Sequence, residues 1–263
     1  MSGRRRRWSQ HWLANDELAT SLVRLLAPQQ GERFLEIGAG QGRLTRALLD
    51  RSVAVTAVEI DPHCCAMLAE LAPGKELQVI AGDVLELDPA ALCHRPPLRV
   101  VGNLPYAIAS PILRWTLQHR DIFADVHYML PTDVAKRVLA PPGSHSRGLL
   151  SVNVQWHYRG DLLVHLGPGS FRPPPKVDSA FVRLRPRTPP RCNARHSHRL
   201  AVTEAAFSHR RKTLANALRH AGWDRPVISN ACDTAGIDAG ERAETLTLED
   251  FARLAEALPE LSS

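Results

Sequence analysis

Cysteines, aromatic residues and long apolar runs are all scarce in this 263-residue chain, and each scarcity excludes something. The five cysteines are odd in number, Cys64 and Cys65 are adjacent, and Cys93, Cys192 and Cys232 stand alone. Neither a disulfide framework nor zinc-type pair spacing emerges, so no metal is expected and a reducing cytoplasm fits best. No stretch of 18 apolar residues occurs, and no apolar run follows the basic amino terminus, which speaks against a membrane anchor or a secretory signal. Acids are outnumbered, 27 Asp+Glu against 33 Lys+Arg, and the formal charge of +6 favours a polyanionic partner. The excess is concentrated in Arg4 to Arg7 and in Arg199, Arg210, Arg211, Lys212 and Arg219.

What is present reads as alternating strands and helices. Apolar residues at helical spacing run from Glu17 to Leu26, where Pro28 ends them. Phe34 to Ile37 reads as a strand entering the turn Gly38 to Gly42, with a helix through Leu44, Ala47 and Leu48 behind it. Strands are then expected over Val53 to Val58, Leu77 to Ile80, Leu98 to Val101 and Asp125 to Leu130, with helices starting at Pro62 and spanning Ile108 to Leu117. This order predicts an α/β fold: a parallel sheet with helices on both faces. Leu149 to Tyr158 and Ala180 to Arg185 read as later strands, separated by an extended loop at Pro168 and Pro173 to Pro175. Pro186, Pro189 and Pro190 mark the expected boundary between a domain of residues 1–190 and a small helical domain of 191–263, where Leu200, Phe207, Leu214 and Ala221 share one helical face.

Glu36-Ile37-Gly38-Ala39-Gly40-Gln41-Gly42 feeds a strand through a glycine turn into a helix amino terminus. There the backbone can approach a ligand and expose free N–H groups. Glu59 ends the second strand about 20 residues on, placed to accept both hydroxyls of a ribose. These features alone leave a dinucleotide and S-adenosylmethionine both open. Gly82-Asp83 narrows the choice: an acid at the third strand end can accept a bond from an adenine amino group, although a capping aspartate would read the same way.

After the fourth strand comes Asn103-Leu104-Pro105-Tyr106. The exocyclic amine of adenine is a poor nucleophile, since its lone pair is delocalised into the ring. Two acceptors, the Asn103 side-chain carbonyl and the Leu104 backbone carbonyl, would raise electron density on that nitrogen. Pro105 biases Leu104 towards an extended backbone, and Tyr106 offers a face on which a base can stack. Phe171, in the proline-rich loop, is a candidate second ring, though ordinary packing of the loop would use it equally well. With these residues the pattern looks like the class I S-adenosylmethionine-dependent methyltransferase fold, a Rossmann-like sheet, with a small helical domain behind it.

Over almost its whole length the chain resembles the bacterial small-subunit ribosomal RNA adenine N6,N6-dimethyltransferases of the KsgA/RsmA type. Ser9-Gln10-His11-Trp12-Leu13 is similar to an amino-terminal Gln-Asn-Phe-Leu element that helps cover the cofactor, with His11 and Trp12 replacing Asn and Phe. By this resemblance His11, Leu13, Gly38, Gly40, Glu59, Ile60, Asp83, Val84 and Asn103 bind S-adenosylmethionine, which leaves as S-adenosylhomocysteine. Phe171-Arg172-Pro173-Pro174-Pro175-Lys176-Val177-Asp178-Ser179-Ala180 resembles a further family segment, Ala206 to Leu214 a basic carboxy-terminal helix and Arg242 to Leu246 a later helical element. Pro131-Thr132 and His209 depart from the usual residues. The resemblance implies a cytoplasmic, monomeric enzyme with no membrane partner. Its substrate would be two adjacent adenines in the 3′-terminal hairpin loop of 16S rRNA within an immature small ribosomal subunit, with Arg210, Arg211 and Lys212 on the RNA phosphates. The rival readings are a large-subunit (23S) rRNA methyltransferase of the same chemistry and an assembly factor whose binding role outweighs catalysis.

Overall fold

The computed structural model describes residues 11–71, 76–92 and 97–261. In chain order its elements are β1 (Trp12–Leu13), α1 (Asp16–Leu26), β2 (Arg33–Ile37), α2 (Arg43–Leu49), β3 (Ala54–Glu59), α3 (Pro62–Leu71), β4 (Leu77–Ala81), α4 (Pro89–Leu92), β5 (Leu98–Asn103), α5 (Ala109–Gln118), β6 (Phe123–Pro131) and α6 (Thr132–Leu139). There follow α7 (Leu149–His157), β7 (Tyr158–Leu166), β8 (Phe171–Arg172), β9 (Ser179–Pro186), α8 (His196–Phe207), α9 (Leu214–Ala221), α10 (Arg225–Ala235) and α11 (Leu248–Ala257). Two compact units divide the described chain. One holds the residues up to Ala135 with Arg159–Pro186, and the other holds Lys136–Tyr158 with the residues from Arg187 onward. Residues 136–158, which precede the expected boundary, therefore belong to the second unit.

The first unit is built on a seven-stranded sheet of order β4-β3-β2-β5-β6-β9-β7. β4 through β6 run parallel to their neighbours, and β9 pairs antiparallel with β6. The chain moves outward from β2 to β3 and β4, then returns to β5 on the other side of β2. The β2/β5 junction is therefore the point of topological reversal, where open α/β sheets place their ligand crevice beyond the carboxyl ends of the strands. Close strand approach is built in there. Gly102 stands opposite Ile37, and a Cβ on it would lie 2.8 Å from the Ile37 carbonyl oxygen.

Burial fixes this register. Phe34, Leu35, Val100, Val101, Val126, Met129 and Phe181 are all shielded from solvent in the centre of the sheet. α1 starts where Asn15 accepts a bond from the Leu18 N–H, with Asp16 and Glu17 complementing the positive end of the helix dipole. At the other end of the strands from the crevice, Arg99 makes a bidentate pair with Asp125 (2.9 and 2.8 Å), a bond to Glu32 (2.7 Å) and one to the Leu26 carbonyl (2.7 Å). Its charge is thereby paired although the residue is buried.

The second unit has its own core around Val152, Trp156, Val202, Leu214, Leu218, Trp223, Phe251 and Leu254. Two expectations fail here. Leu149 to Tyr158 is not a strand: residues 149–157 form α7, and the next strand is β7. The alternating burial of Val152, Val154 and Trp156 mimics a strand because α7 is buried on several sides rather than on one stripe. Nor do Leu200, Phe207, Leu214 and Ala221 share one helix, since residues 208–213 form a turn between α8 and α9, and Thr213 caps the new helix. Among the described residues no helix is long and apolar enough to cross a membrane, and no group of three His, Cys, Asp or Glu side chains could hold a metal ion.

Candidate active site

Four strand ends of the first unit converge on one solvent-open cavity. β2 delivers Ile37, Gly38 and Gly40, β3 delivers Val58, Glu59 and Ile60, β4 leads to Gly82, Asp83 and Val84, and β5 delivers Asn103 to Tyr106. Ile108 and Ile112, at and beyond the start of α5, extend its apolar wall, while His11 and Trp12 close it from the amino-terminal side. The sequence-expected residues His11, Gly38, Gly40, Glu59, Ile60, Asp83, Val84, Asn103, Leu104, Pro105 and Tyr106 thus share one cavity. Its polar groups, two carboxylates and an amide oxygen amid aliphatic walls, suit a nucleoside carrying both polar hydroxyls and a cationic centre.

The glycine turn is fastened from below. Glu59, 3% exposed, accepts bonds from the Gly40 N–H (2.8 Å) and from the Ile60 and Asp61 N–H groups (2.9 Å each). An ionised carboxylate offers about four acceptor positions, so these three bonds leave capacity for a ligand hydroxyl. Gly40 has φ +54°, and a Cβ there would stand 2.9 Å from the Trp12 indole, so the turn tolerates no side chain. Asp83 does two things at once: Oδ1 accepts the Leu85 N–H at 2.9 Å, capping the turn Val84–Glu86, and the residue also lines the cavity. Beneath the turn, burial pushes the Glu36 carboxyl up to about 8, against a 2.6 Å bond from the Thr45 hydroxyl that favours ionisation.

Asn103 is oriented by the chain itself. Its Nδ2 donates to the His11 backbone carbonyl at 2.6 Å. A carbonyl can only accept, so the NH2 must face it and Oδ1 is left as the acceptor. The His11 ring is held as well: Nδ1 donates to the Pro173 carbonyl at 2.8 Å, and the ring lies 5.4 Å from that of Tyr106, tilted by 38°. Tyr106 opens the turn Tyr106–Ile108, and its hydroxyl is hydrogen-bonded to Ser179 Oγ. Burial raises the phenol pKa, and the Ser179 bond opposes that rise.

Two expected residues lie elsewhere. Leu13 pairs with Phe171 in the β1–β8 ribbon and is buried in the core; it lines a smaller cavity that shares Trp12, Gly38 and Asn103 with the first. Phe171 is fully buried among Leu13, Met129 and Phe181, outside both cavities. Strand pairing turns its side chain into the core, so the second ring expected for the base is not presented to either cavity in this structure. Ser179, 73 residues from Tyr106 in sequence, and Trp12 were missed as site residues. Nothing local signals the Ser179 contact, whereas the i, i+4 spacing of Ile108 and Ile112 did carry a readable signal.

In the second unit Arg210, Arg211 and Lys212 are all exposed in the turn between α8 and α9, not on a basic helix as expected, and Arg210 donates to the His145 carbonyl at 2.7 Å. His209 stacks on His220 beside them, with ring centroids 4.6 Å apart. Arg4 to Arg7 lie outside the described residues.

The family profile described as Ribosomal RNA adenine dimethylase matches residues 1–260. Ribosomal RNA small subunit methyltransferase A of Xanthomonas euvesicatoria is 44% identical over 253 residues, 94% of this chain and 93% of the relative. Its namesake from Acidithiobacillus ferrooxidans is 41% identical over 263 residues, 97% of this chain and 95% of that one. Among solved structures, the 23S rRNA methyltransferase ErmE aligns with a TM-score of 0.72 at 26% identity, covering 94% of this chain and 99% of ErmE. A dimethyladenosine transferase from Plasmodium falciparum aligns with a TM-score of 0.75 at 24% identity over 93% and 96%, which adds the fold. With a class I methyltransferase sheet, the Asn103-Leu104-Pro105-Tyr106 sequence at its switch point and these matches over nearly its full length, the chain belongs to the ribosomal RNA adenine dimethylase family, of the KsgA/RsmA type.

Proposed function

We propose that the protein transfers methyl groups from S-adenosylmethionine to N6 of two adjacent adenines in the 3′-terminal hairpin loop of 16S rRNA. The product is N6,N6-dimethyladenosine, formed in the cytoplasm by a monomeric enzyme acting on an immature small ribosomal subunit. The observation that carries this reading is the fixed amide of Asn103, whose Nδ2 is committed to His11 and whose Oδ1 is therefore an acceptor at the cavity.

S-adenosylmethionine, when bound, supplies an electrophilic methyl group. Glu59 and Asp83 would hold its hydroxyls and adenine amine, the turn from Gly38 to Gly42 would admit its backbone-facing side, and Ile60 and Val84 would pack on its rings. Asn103 Oδ1 and the Leu104 carbonyl accept the two N–H bonds of the target amine and aim its nitrogen, and Tyr106 stacks on the base. Alignment rather than acid–base chemistry then lowers the barrier, and the proton is released to solvent after transfer. Such an adenine must be unstacked from its loop to enter. Arg210, Arg211 and Lys212 contact phosphates from the second unit.

The likeness to ErmE favours a second reading, methylation of 23S rRNA. The relatives named for the small subunit, at 41–44% identity, favour the first. Incubating purified protein and labelled S-adenosylmethionine with immature small subunits and with 23S rRNA, then mapping N6,N6-dimethyladenosine, separates them. Label in two adjacent adenines of 16S rRNA is expected; label only in 23S rRNA, or in neither, overturns the assignment.

A further inference from the structure

An aromatic platform works only if its ring is held in one orientation, and Tyr106 has few local restraints. It begins a three-residue turn, it is only partly buried, and its neighbour Pro105 contributes no N–H. Its hydroxyl reaches out of this segment to Ser179 Oγ. Ser179 is a firm anchor: it is fully buried and is the first residue of β9, where it stands opposite Pro131 at the end of the β6–β9 ladder. The central sheet thus fixes the hydroxyl that the phenol meets, and the His11 ring, itself tied to the Pro173 carbonyl, restrains the phenol ring from the amino-terminal side.

We infer that Ser179 is a positioning residue for adenine methylation: through its hydroxyl it locks the Tyr106 ring in the orientation on which the target base stacks. The inference rests on the function proposed above. Ser179 touches neither the cavity nor any ligand that the cavity would hold, so its whole influence on the reaction passes through Tyr106. Loss of its hydroxyl frees the ring to rotate, lowers the fraction of enzyme ready to stack the base, and leaves the S-adenosylmethionine side of the cavity intact. His11 restrains the same ring by packing, so the loss is partial rather than complete.

The test combines Ser179→Ala, Tyr106→Phe and the double variant, each measured for kcat and KM towards the RNA particle and for equilibrium binding of S-adenosylmethionine. Each single change is expected to lower kcat/KM for RNA about fivefold, as for removal of one neutral hydrogen bond, with binding of S-adenosylmethionine within twofold of wild type. The double variant is expected to be no worse than Tyr106→Phe alone, and Ser179→Thr, which keeps the hydroxyl, to recover activity. Additive losses, or a parallel loss of S-adenosylmethionine binding, overturn the inference. NMR of the three tyrosines carrying 13C next to the hydroxyl reads the anchor without substrate. The Tyr106 signal, assigned by its absence in Tyr106→Phe, should move in Ser179→Ala, and an unmoved signal also overturns the inference. A wild-type enzyme that methylates no RNA adenine would overturn the proposed function instead, and the tyrosine signal would still decide whether the anchor exists. Should Ser179→Ala fail to fold, Tyr106→Phe removes the same bond from the more exposed partner and carries the kinetic test.

Discussion

A primary amide can sit either way round, and only one way makes Asn103 an acceptor. Its Nδ2 contact with the His11 carbonyl selects that way, so the residue proposed to receive the target amine is oriented by a segment 92 residues away in sequence. Replacing Asn103 with Ala removes the acceptor and leaves the His11 carbonyl without its donor. A fall of roughly 10²–10³ in kcat is expected, comparable to the loss of one preorganised group in other active sites. Single-turnover methylation of the RNA particle with saturating S-adenosylmethionine checks it; a rate within tenfold of wild type would remove Asn103 from the chemistry. Phe171 calls for the opposite signature. Its ring is wholly buried beside Leu13, Met129 and Phe181, so Phe171→Ala should cost about 3–5 kcal/mol of stability, read by urea unfolding. Unchanged stability with lost RNA methylation would restore the stacking role that its sequence motif suggested.

Among the elements, the parallel strands and the turns at their carboxyl ends were legible because each is a short apolar run punctuated by Gly or an acid. β2 to β6 were all expected within two residues of where they lie. The same local logic placed Gly38, Glu59, Asp83 and Asn103 at one rim, since parallel strands deliver their ends to one edge. α7 escaped it. Its polar residues do not face water but cap neighbouring carbonyls: Gln155 donates to the Val138 and Ala140 oxygens, and Ser151 to that of Arg137. A helix buried on both its apolar and polar sides loses the 3.6-residue stripe that announces a helix. The basic segment differs for another reason: the family resemblance implies one basic helix over Ala206 to Leu214, but α8 ends at Phe207 and Thr213 supplies a fresh cap that starts α9 separately. Arg210, Arg211 and Lys212 therefore project from a turn. If they bind phosphates, changing all three to Ala should flatten the slope of log affinity against log salt by roughly one unit for each phosphate that is no longer neutralised. Filter binding of the RNA particle between low and high salt measures that slope; an unchanged slope would place the RNA elsewhere.

For the whole molecule, two buried groups of the first unit set opposing pH dependences. His127 is completely buried, and desolvation pushes it down from 6.5 to about 4 despite Asp125 at 3.6 Å. Between those values the unfolded chain binds the extra proton, so this residue makes stability rise with pH. Glu36 acts the other way. Raised from 4.5 to about 8, it stays protonated in the folded state while the unfolded chain has lost its proton, so stability falls as pH rises across that span. The two slopes cancel between about 4.5 and 6.5, and Glu36 alone acts from about 6.5 to 8. Glu36→Gln keeps an acceptor for the Thr45 hydroxyl and removes the titration. Its stability relative to wild type should therefore climb with pH by up to about 1.4 kcal/mol per unit and level off near pH 8. Urea unfolding of both proteins at pH 5, 6.5 and 8 tests this. A difference that does not change with pH would mean that Glu36 is ionised beneath the glycine turn in the folded protein.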